Sequence, residues 1–180
     1  MNKLGIIAGI VASTIAVAAA QENAPVNACD YLNADEVTAV VGFPVDAGER
    51  HDEGYVGGPR DPDGGTYSST CLWRVSADRG ANNPEAPLGG ARFVILNVMS
   101  WPDEAAAGSF LRSFHDAAAD HVIPMKPVVL EIGDESLWWG DGVAVRKGHV
   151  SFGVSVRLIG LKVEERAMQE RLAARIVARI

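Results

Sequence analysis

Four histidines, two cysteines, one acidic glycine-rich run and a pair of adjacent tryptophans are the residues of this chain whose chemistry reaches beyond packing. His51, His115, His121 and His149 change charge near neutral pH, which makes them the candidates for proton transfer or metal ligation. Their spacing fits no single site: His51 and His149 fall in loop or turn sequence, whereas His115 and His121 fall on and just after a helical pattern. They read as exposed, ordinary histidines. The run Asp61-Pro62-Asp63-Gly64-Gly65 sets carboxylates close together, as at the start of a calcium loop, but the later ligand positions and the closing bidentate Glu are missing, so it reads as a solvated turn. No serine-hydrolase elbow, phosphate loop, dinucleotide fingerprint, H-E-x-x-H or zinc spacing occurs. The sequence therefore names no catalytic residue, and no cofactor or metal is expected.

Trp138 and Trp139 are neighbours, and successive strand residues point to opposite faces, so only one of the two can enter a given core. The other is covered, for which the segment Asp46 to Ser69 is the candidate, or stands on the surface. An exposed Trp beside Arg146 or Arg157 would form a stacking or cation-π platform, so Trp138, Arg146 and Arg157 are the candidate ligand-binding residues. Ser151, Gly153 and Ser155 are small enough for close helix packing or for a shallow groove.

The compartment is read from residues 1–20. Lys3 precedes an apolar run from Leu4 to Val17, and Ala18-Ala19-Ala20 stand before a polar Gln21-Glu22-Asn23. This is the pattern of a secretory signal peptide cut after Ala20, and the run is too short and alanine-rich for a membrane span. The alternative, a lipid anchor on Cys29, is poorly served by Val26-Asn27-Ala28-Cys29, because that Cys stands well beyond the apolar core. Residues 21–180 then form a single exported domain, periplasmic or secreted, with no stable membrane insertion after cleavage. With Lys3 gone, the chain's formal charge of −7 becomes −8, from 15 basic and 23 acidic residues. Such a field repels nucleic acid and anionic lipid surfaces. In an oxidising compartment Cys29 and Cys71 read as one disulfide, worth about 4 kcal/mol in the chain-entropy model; a reactive or metal-binding thiol is the competing reading, without any C-x-x-C or Cys/His cluster to favour it.

These groups need elements to hold them. Asn33-Ala34-Asp35-Glu36 is a capping-box start for a short helix that stops at Gly42 and Pro44, and the bridge would staple this helix to a strand. Asp46 to Ser69 reads as a long surface loop with a strand near one end. Thr70 to Ser76 reads as a half-exposed strand and Arg92 to Ser100 as a central one, with Ala77 to Gly90 as their long connection. Trp101-Pro102-Asp103-Glu104 opens a second helix with Pro in its first turn, and Ala107, Phe110, Leu111, Phe114 and Ala118 form its buried stripe. Val128 to Ile132, Ser136 to Arg146 and His149 to Ile159 read as further strands, the last two joined across Lys147-Gly148. On the last, Val150, Phe152, Val154, Val156 and Leu158 face the core. A C-terminal helix, about Val163 to Ala178, lines up Met168, Leu172, Ile176 and Ile180. The fold class is α+β: a largely antiparallel sheet packed on one side by about three helices, with one disulfide. Each half starts with a helix and continues into paired strands, the order an internal duplication would leave.

Three pieces of the chain, Cys29-Asp30-Tyr31-Leu32-Asn33-Ala34-Asp35-Glu36-Val37, Cys71-Leu72-Trp73 and Ile132-Gly133-Asp134-Glu135-Ser136-Leu137-Trp138, resemble a broad group of small exported bacterial domains of unknown function. Their pattern runs Cys-Asp-x-Leu-x-x-x-Glu-Val, Cys-x-aromatic and Gly-x-Gly-Asp-Glu-Ala-aromatic; here Glu131 stands for the first Gly of the third motif and Ser136 for its Ala. The resemblance implies a Cys29–Cys71 bridge and an α+β fold akin to PsbP-like domains, and it carries over no catalytic residue. The expected function is a non-enzymatic binding module of the cell envelope, taking a small molecule, an envelope polymer or a protein partner near Trp138 and the Asp46 to Ser69 segment. A small periplasmic hydrolase or other envelope enzyme using a histidine and nearby acids, or a structural envelope component assembling through its C-terminal helix, are the alternatives.

Overall fold

The computed structural model describes residues 25–56, 65–78, 92–123, 126–158 and 162–180. The leader, the Asp61 to Gly64 carboxylates and most of the Ala77 to Gly90 connection lie outside them. The first described element is a 3-10 turn at Ala28–Asp30, and α1 (Ala34–Val41) follows it. Asn33 caps that helix as its spacing predicts: its side chain accepts the Glu36 N–H at 2.9 Å, and the Glu36 carboxylate accepts the Asn33 N–H at 3.0 Å. Gly42 ends it in the left-handed conformation, φ 77°.

Strands β1 (Glu49–Val56), β2 (Thr66–Arg74) and β3 (Phe93–Ser100) follow; then α2 (Glu104–Ala119); then β4 (Val128–Val129), β5 (Glu135–Trp138), β6 (Val143–Lys147) and β7 (Val150–Arg157); then α3 (Lys162–Val177). The described strands form one seven-stranded sheet in the order β1-β2-β3-β7-β6-β5-β4, and every pairing is antiparallel. It is thus two meanders joined where β3 meets β7. The fold class is α+β with one disulfide, as expected.

Several elements differ from expectation. Much of the Asp46 to Ser69 loop is sheet: β1 and the start of β2 pair from Glu49↔Leu72 to Val56↔Thr66. Thr70 to Ser76 is not half-exposed, because β2 lies between β1 and β3 and Leu72 is buried on the face opposite Trp73. Ser136 to Arg146 is two strands, not one: the chain turns back at Gly140, φ 108°, so that Trp138 pairs with Val143 and Glu135 with Arg146. A run apolar on both sides has no period that marks such a break. Pro102 precedes α2 rather than entering its first turn; Asp103 is the cap, accepting the Ala106 N–H at 2.8 Å.

The helices take both faces of the sheet, not one. On the first face α1 and α3 cover the main core, in which Trp73, Val94, Leu96, Val145, Phe152 and Val154 meet Val37, Leu172 and Ile176. On the second face α2 lies over β5, β6 and β7, where Leu111 meets Leu137 and Ala144. The two meanders are alike, but the helices on opposite faces break any two-fold relation between the halves. In α3 the buried line is Gln169, Leu172, Ala173 and Ile176, whereas Ile180 is exposed. Steps of four residues overrun the 3.6-residue turn, so the line from Met168 to Ile180 slants off the buried face.

The Cys29–Cys71 bridge is present, with Cα atoms 5.1 Å apart. It ties the 3-10 turn, rather than α1 itself, to β2. Gly48 packs against it: a Cβ there would stand 2.5 Å from Cys71 Sγ and 2.9 Å from Trp73 Nε1.

Candidate functional site

The three residues singled out as a binding platform do not come together. Register alternation puts Trp138 on the face of α3, opposite Val143 and Val154, and puts Arg146 and Arg157 on the other face. Trp138 has its cation, but it is Arg166 of α3, whose guanidinium lies 4.8 Å from the ring centroid and also holds Glu170 at 2.8 Å. Arg146 is 13% exposed in its side chain and is shared between Asp134 and Glu135, each at 3.4 Å. Arg157 is exposed at the far end of β7. The described residues of the Asp46 to Ser69 segment, 46–56 and 65–69, cover neither tryptophan: β1 stands five strands from β5, about 24 Å at the usual spacing.

Trp139 takes the second face, and α2 covers it. Its ring lies 4.9 Å from that of Phe114, which meets Phe110 at 5.3 Å, which meets Trp101 at 6.4 Å. The small residues of β7 make room for this row of rings. Ser151 Oγ accepts the Trp101 indole N–H at 2.6 Å, and the Trp139 ring packs over Gly153 and closely against Gly142. Ser151 and Gly153 therefore lie beneath the row of rings, on the face of β7 over which α2 packs.

The histidines stay apart. His51 is exposed on β1, 3.9 Å from Glu49. His121 has φ 59° and ends α2, with the N–H groups of Val122 and Ile123 turned back to the Ala117 carbonyl. His149 sits exposed in the β6–β7 turn, and its carbonyl accepts the Trp101 N–H. Among the described residues no three His, Cys, Asp or Glu side chains are placed to hold a metal ion, and no described helix is long and apolar enough to cross a membrane.

His115 lines a concavity. An open pocket of about 290 Å³ lies between α2 and the β4–β5 edge of the sheet. Leu111 and Leu137, both buried, form its floor, and Val129, 74% exposed, stands at its mouth. Arg112 and His115, three residues apart on α2, line one wall; Asp134, Glu135 and Ser136 line the other. Sequence reasoning missed Arg112. Its one signal is that it follows Leu111, which a helix at the sheet edge turns toward the same opening.

The wall opposite α2 is built rigidly. Gly133, φ 69°, starts a turn in which a Cβ would meet Arg146 O and Val145 Cγ1, each at 2.7 Å. Asp134 then accepts the Gly148 N–H at 2.7 Å and faces Lys147 at 3.3 Å and Arg146 at 3.4 Å. The Gly148 N–H first, and these two cations next, hold the Asp134 carboxyl below its ordinary pKa. Ser136 Oγ accepts the Ile132 N–H at 3.0 Å, and the Leu130 N–H bonds the Ser136 carbonyl at 3.0 Å, which fixes β4 to β5. No protein-family model, curated protein or solved structure matches this chain.

Proposed function

We propose that the protein is an exported, non-enzymatic binding module of the cell envelope, and that the pocket between α2 and the β4–β5 edge takes a small-molecule ligand. The observation that carries the reading is the make-up of that pocket: an apolar floor of Leu111 and Leu137, an open mouth at Val129, and charges confined to the walls. Binding sites for small molecules combine apolar area with a few polar groups in this way. Export is supported by the leader pattern of residues 1–20, by the paired cysteines and by the resemblance to small exported domains.

The non-enzymatic reading rests on how the pocket's polar groups are used. Nucleophilic catalysis needs a hydroxyl within hydrogen-bond reach of its base. Among the described residues no hydrogen bond joins the Ser136 hydroxyl to His115; Ser136 Oγ accepts the Ile132 N–H, and the residue is 5% exposed. Asp134 and Glu135 are held by Arg146 and Lys147 instead of orienting His115.

The test is a methyl-resolved NMR titration of the purified protein with short-chain fatty acids, amino sugars and tripeptides. At least one probe is expected to shift the methyls of Leu111, Leu137 and Val129 together. Val129→Lys charges the mouth without touching the core, and Leu111→Trp fills the floor from within the smaller core, its fold checked by an unchanged far-UV circular dichroism spectrum; either is expected to abolish the shifts of the methyls that remain. A panel that leaves these methyls unmoved, or binding that survives both substitutions, refutes the reading.

A further inference from the structure

From the charge balance of the pocket walls we infer that the ligand is an amphiphilic anion: an apolar body of about ten non-hydrogen atoms ending in a carboxylate, received by Arg112. The inference rests on the pocket reading above and narrows it to one chemical class. Two carboxylates line the pocket, Asp134 and Glu135, and two cations, Arg146 and Lys147, already sit against them at 3.3 to 3.4 Å. Arg112 is left over. Its hydrogen bond is from Nη2 to the Ala105 carbonyl at 3.5 Å, a neutral partner at the limit of reach, and the side chain folds back over Gly108. The guanidinium is exposed and makes no ion pair among the described residues, on a chain whose formal charge is −7.

An unpaired guanidinium on an acidic protein is a local attractor for a carboxylate, which it can hold by two parallel hydrogen bonds. His115 stands one turn further along the same wall and adds an N–H donor. Below them, Leu111, Leu137 and Leu130 offer apolar surface to whatever is attached to that carboxylate. The volume of about 290 Å³ is the liquid volume of roughly ten water molecules, which sets the size of the body.

The experiment measures binding of octanoate, octanamide and octylammonium to the full protein by isothermal titration calorimetry and by the same methyl resonances. The amide matches octanoate in size and lacks its charge; the amine reverses it. Octanoate is expected to bind about fivefold tighter than octanamide, the factor an exposed ion pair supplies, and octylammonium weakest. Arg112→Gln is expected to bring octanoate down to the affinity of octanamide and to leave octanamide unchanged; Arg112→Lys should restore part of the difference. If octanamide binds the wild type as well as octanoate does, or if Arg112→Gln weakens both alike, the anion inference is overturned while the pocket reading stands. If none of the three moves the floor methyls, the inference is overturned, and the pocket reading is then decided by the amino sugars and tripeptides.

Discussion

The close approach of Gly48 to the disulfide makes the covalent staple testable by a double-mutant cycle. Cys71 is fully buried, and the bridge closes a loop with a sequence separation of 42, so removing it with Cys71→Ala costs about 4 kcal/mol in the chain-entropy model. For a domain of this size that is a fall in Tm of roughly 8 to 16 °C. Gly48→Ala alone puts a methyl 2.5 Å from Cys71 Sγ and 2.9 Å from Trp73 Nε1. The sulfur is held by its bond and the indole by the core, so neither can step aside, and the expected cost is about 1–3 kcal/mol. Deleting the sulfur removes the nearer obstacle and leaves room where the new methyl points. The double variant should therefore be less destabilised than the sum of the two single ones, by about 1 kcal/mol, with Trp73 keeping part of the penalty. Urea denaturation followed by tryptophan fluorescence measures all four corners. Additivity within about 0.5 kcal/mol refutes the contact, and a Cys71→Ala variant as stable as the parent refutes the staple.

Two further predictions concern the elements that frame the site. Gly133→Ala meets a positive φ and two atoms at 2.7 Å, one of them the Arg146 carbonyl, so it should destabilise by about 2 kcal/mol or more and perturb the methyls of Leu130 and Leu137 first. Glu36 accepts the Asn33 N–H and the Arg179 guanidinium, and the Asn33 N–H is the larger cause of a carboxyl pKa held below its ordinary value. A group whose folded pKa is depressed contributes stability above the unfolded value, near 4.5, and loses it as pH falls through the folded one. Glu36→Gln should thus lower the urea midpoint at pH 7, and its gap from the parent should narrow as pH falls below 4.5; a gap that does not narrow would show that the charge contributes nothing.

The local elements were largely legible because each depends on a few adjacent residues. The Asn33 to Glu36 capping box, the left-handed stop at Gly42, the Gly148 turn at φ 57° and the alternation of β7 all occur where the spacing placed them. The site was legible only in fragments. His115 stood among the histidines and Leu111 in a helical stripe, yet nothing in their spacing joined them to Asp134 and Leu137, some twenty residues on across a turn and two strands.

By itself the sequence determined the class of the fold, the pairing of its only two cysteines and the acidic charge that sets the sign of the surface field, since these follow from composition and short-range pattern. The tertiary structure decided the rest. Whether a strand lies at an edge or in the middle depends on which strand comes to lie beside it, and that choice placed β1 and β5 at opposite sides, while the register of β5, β6 and β7 put Trp138 on one face and Arg146 and Arg157 on the other. The hairpin break at Gly140 and the passage of α2 to the second face are likewise set by long-range packing. The physical reason is that side-chain periodicity says which face of an element is buried, not what it is buried against; the pocket, made where α2 ends its cover of the sheet, exists only once both partners are in place.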